Sequence, residues 1–225
     1  MKINFDKYPL PKRLRHHTSA NFYMPVTELK KIPANYPPVT EKINWSEVFA
    51  NEKSPDILDV GCGKGKLLLD LAEREPNKNI LGIEVRHLIT QWLDKVIKGE
   101  KIPNAGVLWY SVVNALPFIE SNSIEKVLYL FPDPWPKKKH HKRRAFNNTV
   151  LREFHRILKK DGKLYLATDV EEVHQYHLEL LNENKNLFKF ELVDNDELWG
   201  LPVTNKEKFC RLKNITFYRI ICYKQ

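Results

Sequence analysis

Cysteine is scarce in this chain. Three of 225 residues are cysteines, Cys62, Cys210 and Cys222, and they are scattered with no Cys-x-x-Cys pair. That argues against a disulfide framework or a zinc site and fits a reducing cytosol, so a cytoplasmic protein is expected. Long apolar runs are missing too, so no membrane span is expected. The opening Met1-Lys2-Ile3-Asn4-Phe5-Asp6 lacks the apolar core of a signal peptide. The histidines at 16–17 and 140–141 come as adjacent pairs, not at helical i,i+4 spacing beside a carboxylate. No metal site is expected from them. There is no internal repeat.

What is present is positive charge and a moderate apolar content. The net charge is +9 with a pI near 9.3, a balance that suggests a polyanionic partner without specifying a fold. Hydrophobic residues make up 42% at a mean hydropathy of −0.49, which indicates a globular chain rather than a disordered one. The length suits one α/β domain with a sizeable core.

Three of the eight glycines fall together, in Ile57-Leu58-Asp59-Val60-Gly61-Cys62-Gly63-Lys64-Gly65-Lys66-Leu67. An apolar run stops at a glycine-rich turn, and a helical pattern follows, which reads as strand, tight loop, helix. A dinucleotide loop wants Gly-x-Gly-x-x-Gly with pyrophosphate on the helix N-terminus. Here the third glycine comes one residue early, and Asp59 in the loop mouth would repel a pyrophosphate but attract a cation. No Gly-Lys-Ser/Thr follows, so a nucleotide triphosphate loop is excluded. The plain alternative is a glycine-rich turn with no ligand. An acid before Gly61, Gly63 and Gly65 resembles motif I of the S-adenosylmethionine-dependent methyltransferases, whose cofactor carries a sulfonium and an amino group.

Residues 1–54 carry many prolines and little periodicity. They are expected to form an extended arm with a short helix near Trp45 to Phe49, basic at Lys12-Arg13-Leu14-Arg15-His16-His17. The domain proper is expected over 55–225. Helices are expected near 65–75, 86–98, 146–159 and 170–184. Strands are expected near 57–60, 80–85, 107–113, 124–131, 163–169, 189–193 and 215–223, with a loop of mixed charge before the last. Such alternation implies a mostly parallel sheet with helices on both faces. Ligands of these sheets lie beyond the strand C-terminal ends, where Asp59, Glu84, Asn114, Asp133 and Asp169 fall. Glu84 lies about 20 residues past the glycines, the offset of a ribose-binding acid. Its alternative role is a strand-end acid paired with Arg86. Asn114 sits where an amide can both donate to and accept from an adenine edge.

The fourth strand runs into Phe131-Pro132-Asp133-Pro134-Trp135-Pro136-Lys137. Proline stiffens the loop and removes backbone donors on both sides of Asp133. Trp135 offers a face for a base, unless it is a core aromatic at the loop corner. Six Lys/Arg and two His occupy 137–144. A solvated charge run is the plain reading of that stretch. Following a strand end at the ligand face, it also suits phosphate contacts.

This heptapeptide, after motif I and Gly82-Ile83-Glu84-Val85-Arg86, is similar to the signature of the tRNA (guanine-N7)-methyltransferases. The resemblance covers about residues 55–223. It implies a Rossmann-like class I methyltransferase fold with seven strands. It also implies S-adenosylmethionine as cofactor and methylation of guanine N7 in the tRNA variable loop. Carried over by position, it assigns cofactor contacts to Asp59, Glu84, Asn114 and Asp133. It assigns substrate contacts to Lys137, Asp169 and Thr204-Asn205-Lys206-Glu207. Where the family has a glycine soon after, this chain reads Arg211-Leu212-Lys213-Asn214, which leaves the last hairpin's conformation open. Guanine N7 is an unprotonated acceptor, so no general base is required. Asp133 is expected to offset the positive charge that develops on the purine. Two rivals remain at this level. One is a methyltransferase acting on another atom, such as an exocyclic amine. The other is an RNA-binding module that keeps the cofactor without catalysis. The implied partner is tRNA, with the protein a monomer or homodimer.

Overall fold

The computed structural model describes residues 3–12, 19–135 and 143–225. Seven strands, β1 (Ile57–Val60), β2 (Ile80–Glu84), β3 (Ala105–Trp109), β4 (Ile124–Leu130), β5 (Leu158–Thr168), β6 (Phe188–Leu192) and β7 (Tyr218–Lys224), follow the order β3-β2-β1-β4-β5-β7-β6, with β7 antiparallel to its neighbours. The expected seven-stranded, mostly parallel sheet is present. The chain divides into two compact units, Met1–Phe118 and Ile119–Gln225.

In the first unit, β1 (Ile57–Val60), β2 (Ile80–Glu84) and β3 (Ala105–Trp109) pair in parallel. Every residue of β1 and β2 is buried. Both strands therefore read as continuous apolar runs broken only by Asp59, Gly82 and Glu84. Helix α1 (Lys66–Arg74) buries Leu67, Leu68, Leu69, Leu71 and Ala72. Helix α2 (His87–Gly99) buries Ile89, Trp92, Leu93, Val96 and Ile97. The amide of Asn104 closes α1 by donating to the carbonyls of Ala72 and Glu75, which a helix end otherwise leaves without partners, and it also reaches the Lys78 carbonyl of the following turn. The strand expected at 107–113 starts earlier and stops at Trp109. A 3-10 turn, Val112–Asn114, takes its second half.

The N-terminal segment is less extended than its prolines suggest. It forms 3-10 turns at Ala20–Tyr23, Val26–Glu28 and Trp45–Glu47, the last at the expected position. Phe5 stacks on Trp92, whose indole donates to the Tyr8 carbonyl. Phe22, Tyr36 and Phe49 are buried. The basic stretch 13–17 lies outside the described residues.

In the second unit, β4 (Ile124–Leu130) pairs in parallel with β5 (Leu158–Thr168). Helix α3 (Asn148–Ile157) is capped by Asn147, whose side chain accepts from Thr149 and Val150 N–H, and it buries Val150, Leu151, Phe154 and Ile157. Strand β5 begins at once after α3. The turn expected at Asp161-Gly162 is absorbed as an irregularity where pairing steps from Ile124↔Leu158 to Lys126↔Lys163. Helix α4 (Glu171–Glu183) precedes β6 (Phe188–Leu192), and β7 is Tyr218–Lys224.

The expected loop before β7 instead holds α5 (Asp196–Trp199) and α6 (Asn205–Leu212). The sign was in the sequence. Thr204 and Glu207 have capping-box spacing, and the structure forms both bonds: Glu207 N–H to Thr204 Oγ1 at 3.0 Å, and Thr204 N–H to Glu207 Oε2 at 2.7 Å. At the far end, Asn214 has φ +51°. Its N–H reaches the Arg211 carbonyl, and Ile215 N–H reaches that of Cys210. This is a Schellman ending with asparagine in the left-handed position that favours glycine. The chain thus makes its glycine-type turn with the next most tolerant residue.

Asn214→Gly should alter stability by less than about 1 kcal/mol, and Asn214→Val should lower it by about 1–2 kcal/mol. Denaturant unfolding of the two variants checks this, and equal stability of Val and Asn would remove the left-handed constraint.

Candidate active site

Strand β1 ends in a left-handed turn, with Gly61, Gly63 and Gly65 at φ +80°, +55° and +72°. Gly61 and Cys62 N–H both bond the Ile83 carbonyl, at 2.8 and 3.2 Å, tying the loop to β2. At Gly65 an added Cβ would stand 2.5 Å from Leu93 Cδ1. The third glycine is therefore needed both for its backbone angle and for the approach of α1 to α2.

Asp59 is 4% exposed, and its Oδ2 has no hydrogen-bond partner among the described residues. Burial pushes its carboxyl up to about 7, with the negative charge of Glu84 adding to the effect. Such a carboxyl has the chemistry to receive a cation, the role expected of Asp59.

Glu84, the last residue of β2, is already engaged. Its Oε2 accepts from Gly63 N–H at 3.0 Å and Arg86 Nη2 at 2.9 Å. Its Oε1 accepts from Arg86 N–H at 2.9 Å and Nε at 3.0 Å. The pairing with Arg86, the alternative reading of this acid, is present, and Arg86 covers the site where a ribose diol was expected. Asn114 is likewise committed in part. Its Oδ1 accepts from Val26 N–H at 2.8 Å, and its Nδ2 donates to Tyr36 Oη at 2.9 Å. Tyr36 in turn donates to the Met24 carbonyl at 2.7 Å. The Asn114 amide thus anchors the N-terminal segment, keeping one donor and one acceptor position for other use. Nothing in the sequence pointed to Tyr36.

In the second unit, Asp133 lies exposed on the loop after β4, between two residues with positive φ, Phe131 at +51° and Trp135 at +42°. Bulky side chains rarely adopt that region, and such strain concentrates at functional sites. Phe131 N–H is fixed to the Ala167 carbonyl at 2.7 Å. Arg143 lies over the Trp135 ring at 5.1 Å, so at least part of the face expected to meet a base already carries a cation. Lys137 and the rest of the basic run through 142 lie outside the described residues.

Asp169, just past β5, pairs with Lys206 at 2.6 Å, bringing two of the expected substrate residues together. Glu207 is fully buried. One oxygen closes the capping box, and the other takes Arg219 Nε and Nη2 at 3.1 and 2.6 Å. That makes Glu207 the support of this helix end rather than a surface contact. Of the four expected contacts, Asn205 is exposed, Thr204 and Lys206 are half-buried, and Glu207 is sealed. Arg219 is held between Trp199 and Phe217, at 5.1 and 5.0 Å, and shares Asp196 with Arg211. Losing one partner of so buried a pair costs about 3–5 kcal/mol.

Comparison with known proteins joins these observations to a family. A family model described as "Putative methyltransferase" matches residues 53–219. A tRNA (guanine-N(7)-)-methyltransferase of Bacillus cytotoxicus is 33% identical over 186 residues, covering 81% of this chain and 85% of the relative. The chain belongs to the tRNA (guanine-N7)-methyltransferase family. Two solved structures share the fold. One is a precorrin-6y C5,15-methyltransferase from Geobacter metallireducens, with TM-score 0.54 and 13% identity over 77% of this chain and 81% of that one. The other is a geranyl diphosphate C-methyltransferase from Streptomyces coelicolor, in complex with Mg2+, geranyl diphosphate and S-adenosyl-L-homocysteine, with TM-score 0.51 and 14% identity over 76% and 72%. The fold is that of the class I, Rossmann-like methyltransferases, and the cofactor of this family member is S-adenosylmethionine. Among the described residues no helix is long and apolar enough to cross a membrane.

A cationic ligand should drive the Asp59 proton off. Below pH 7 the free carboxyl is largely protonated, so affinity for S-adenosylmethionine should rise with pH, by at most about tenfold per unit, and level off above 7. Asp59→Asn should weaken binding and flatten that part of the profile. Calorimetry across the range checks it, and an identical pH dependence in the variant would show that another group titrates.

Proposed function

We propose that this protein transfers the methyl group of S-adenosylmethionine to N7 of a guanine in the tRNA variable loop. The observation that carries this reading is its 33% identity to a tRNA (guanine-N(7)-)-methyltransferase over most of both chains. The net charge of +9 suits a polyanionic substrate, and a cytoplasmic location suits a tRNA enzyme.

In this reading the cofactor supplies an electrophilic methyl group. Asp59 holds its positively charged end, in keeping with its buried Oδ2, which has no hydrogen-bond partner among the described residues. Gly61, Gly63 and Gly65 let backbone approach it. Glu84 takes the ribose hydroxyls as Arg86 gives up its place on the carboxylate, and the free positions of Asn114 serve the adenine edge. Guanine N7 needs no proton removed before it attacks, so the chain's task is positioning, which can supply about 7–11 kcal/mol. Asp133 offsets the positive charge that appears on the purine, as a fixed carboxylate can at low cost in reorganisation. Trp135, Lys137, Asp169 and the Thr204–Glu207 end of α6 orient the tRNA, with Asn205 and Lys206 making its direct contacts.

Methyl transfer from labelled S-adenosylmethionine into unmodified tRNA, followed by nucleoside analysis, tests this. The expected product is 7-methylguanosine, with turnover falling about 100-fold or more in Asp133→Ala. Another methylated nucleoside would keep the fold and cofactor but discard the N7 assignment. No incorporation would overturn the reading.

A further inference from the structure

We infer that Arg144 is a positioning residue for Asp133, holding the rear of the loop that carries it; this rests on the role proposed for Asp133. The loop has an unusual difficulty. Pro132 and Pro134 flank Asp133, and neither has an N–H to donate. Its front is fixed by Phe131 N–H on the Ala167 carbonyl. Behind Asp133 the chain offers a carbonyl, Pro134 O, which needs a donor from elsewhere. Arg144 Nε supplies it at 3.1 Å.

The donor is itself held on two further sides. Arg144 is 5% exposed at its side chain, and its Nη2 reaches Glu172 Oε1 on α4 at 3.1 Å. Its guanidinium lies 5.1 Å over the Tyr176 ring, and the Tyr176 hydroxyl donates to the Phe146 carbonyl at 3.0 Å. A guanidinium is always charged and presents its donors in a rigid fork, so it can grip a carbonyl and a carboxylate at fixed mutual geometry. Helix α4 starts two residues after Asp169. Arg144 therefore ties the Asp133 loop to the helix that follows the second candidate substrate carboxylate. The positive φ values at Phe131 and Trp135 show what is being restrained. A strained loop relaxes when a clamp is lost, and a displacement of about 1 Å at the chemistry can cost about 100-fold.

The test is steady-state kinetics with full-length protein and unmodified tRNA. Arg144→Gln should lower kcat between about 10-fold and 100-fold, while the Kd for S-adenosylmethionine and the KM for tRNA stay within about threefold. Simple instability would lower the active fraction instead, and active-site titration separates the two. Arg144→Lys, which keeps the charge but lacks the fork, should recover only part of kcat. Adding Arg144→Gln to Asp133→Ala should cost nothing further, because the clamp acts through that carboxylate. If Arg144→Gln does not fold, Glu172→Gln, at a half-exposed position, should lower kcat in the same sense. Wild-type kcat in the folded Arg144 or Glu172 variants, or a loss that multiplies fully with Asp133→Ala, would overturn the inference while leaving the role of Asp133 standing. Wild-type turnover in Asp133→Ala would overturn both.

Discussion

A carboxylate taken out of water without a counter-charge raises the free energy of the fold until something positive arrives. Asp59 is kept in that condition by continuous burial of β1 and β2 and by Glu84, which adds a second negative charge instead of relieving the first. The rest of the first unit follows from holding this group in place. The chain must leave β1 through a left-handed turn so that α1 starts close to α2, and only glycine at 65 allows both the angle and the approach. Arg86 hydrogen-bonds Glu84 but does not bond the Asp59 oxygen left without a partner among the described residues. The charge of the loop is thus only half-compensated.

The second unit solves the opposite problem. Around Asp133 backbone donors are missing, so order must be imposed on carbonyls by side chains brought from later in the chain. Near α6, order comes from a buried carboxylate that serves two masters, the capping box and Arg219. At the Asp133 loop only Arg144 is buried and its partner Glu172 is half-exposed, whereas near α6 the Glu207–Arg219 pair is removed from water and fixes the helix end. Such a pair contributes little net stability compared with an apolar substitute, but breaking it is costly.

Much of this could be read along the chain. The glycine loop, Glu84, the β4 strand and its proline-rich extension are local patterns, and the elements stand within a few residues of expectation. The misses have local causes. β3 stops at Trp109 because Ser111 and Asn114 turn to the N-terminal segment, Ser111 Oγ bonding the Phe22 carbonyl at 2.6 Å. The Asp161-Gly162 signal was real turn chemistry, but β5 absorbs it as a bulge. The helices at 196–199 and 205–212 were hidden by their charge. The Thr204–Glu207 spacing belongs both to the family motif and to a capping box, so one pattern carries two meanings.

The sequence by itself determined the fold class and the glycine-rich loop, because these depend on periodicity and backbone freedom, which neighbouring residues set, and its motifs carried the family resemblance. Tertiary structure alone decided which polar groups are spent. That Asn114 binds Val26 and Tyr36, that Glu207 is sealed against Arg219, and that Arg144 reaches back to Pro134 depend on pairings across 10 to 88 positions of chain. A hydrogen bond is chosen by proximity and burial after folding, and no local pattern of residues carries that information.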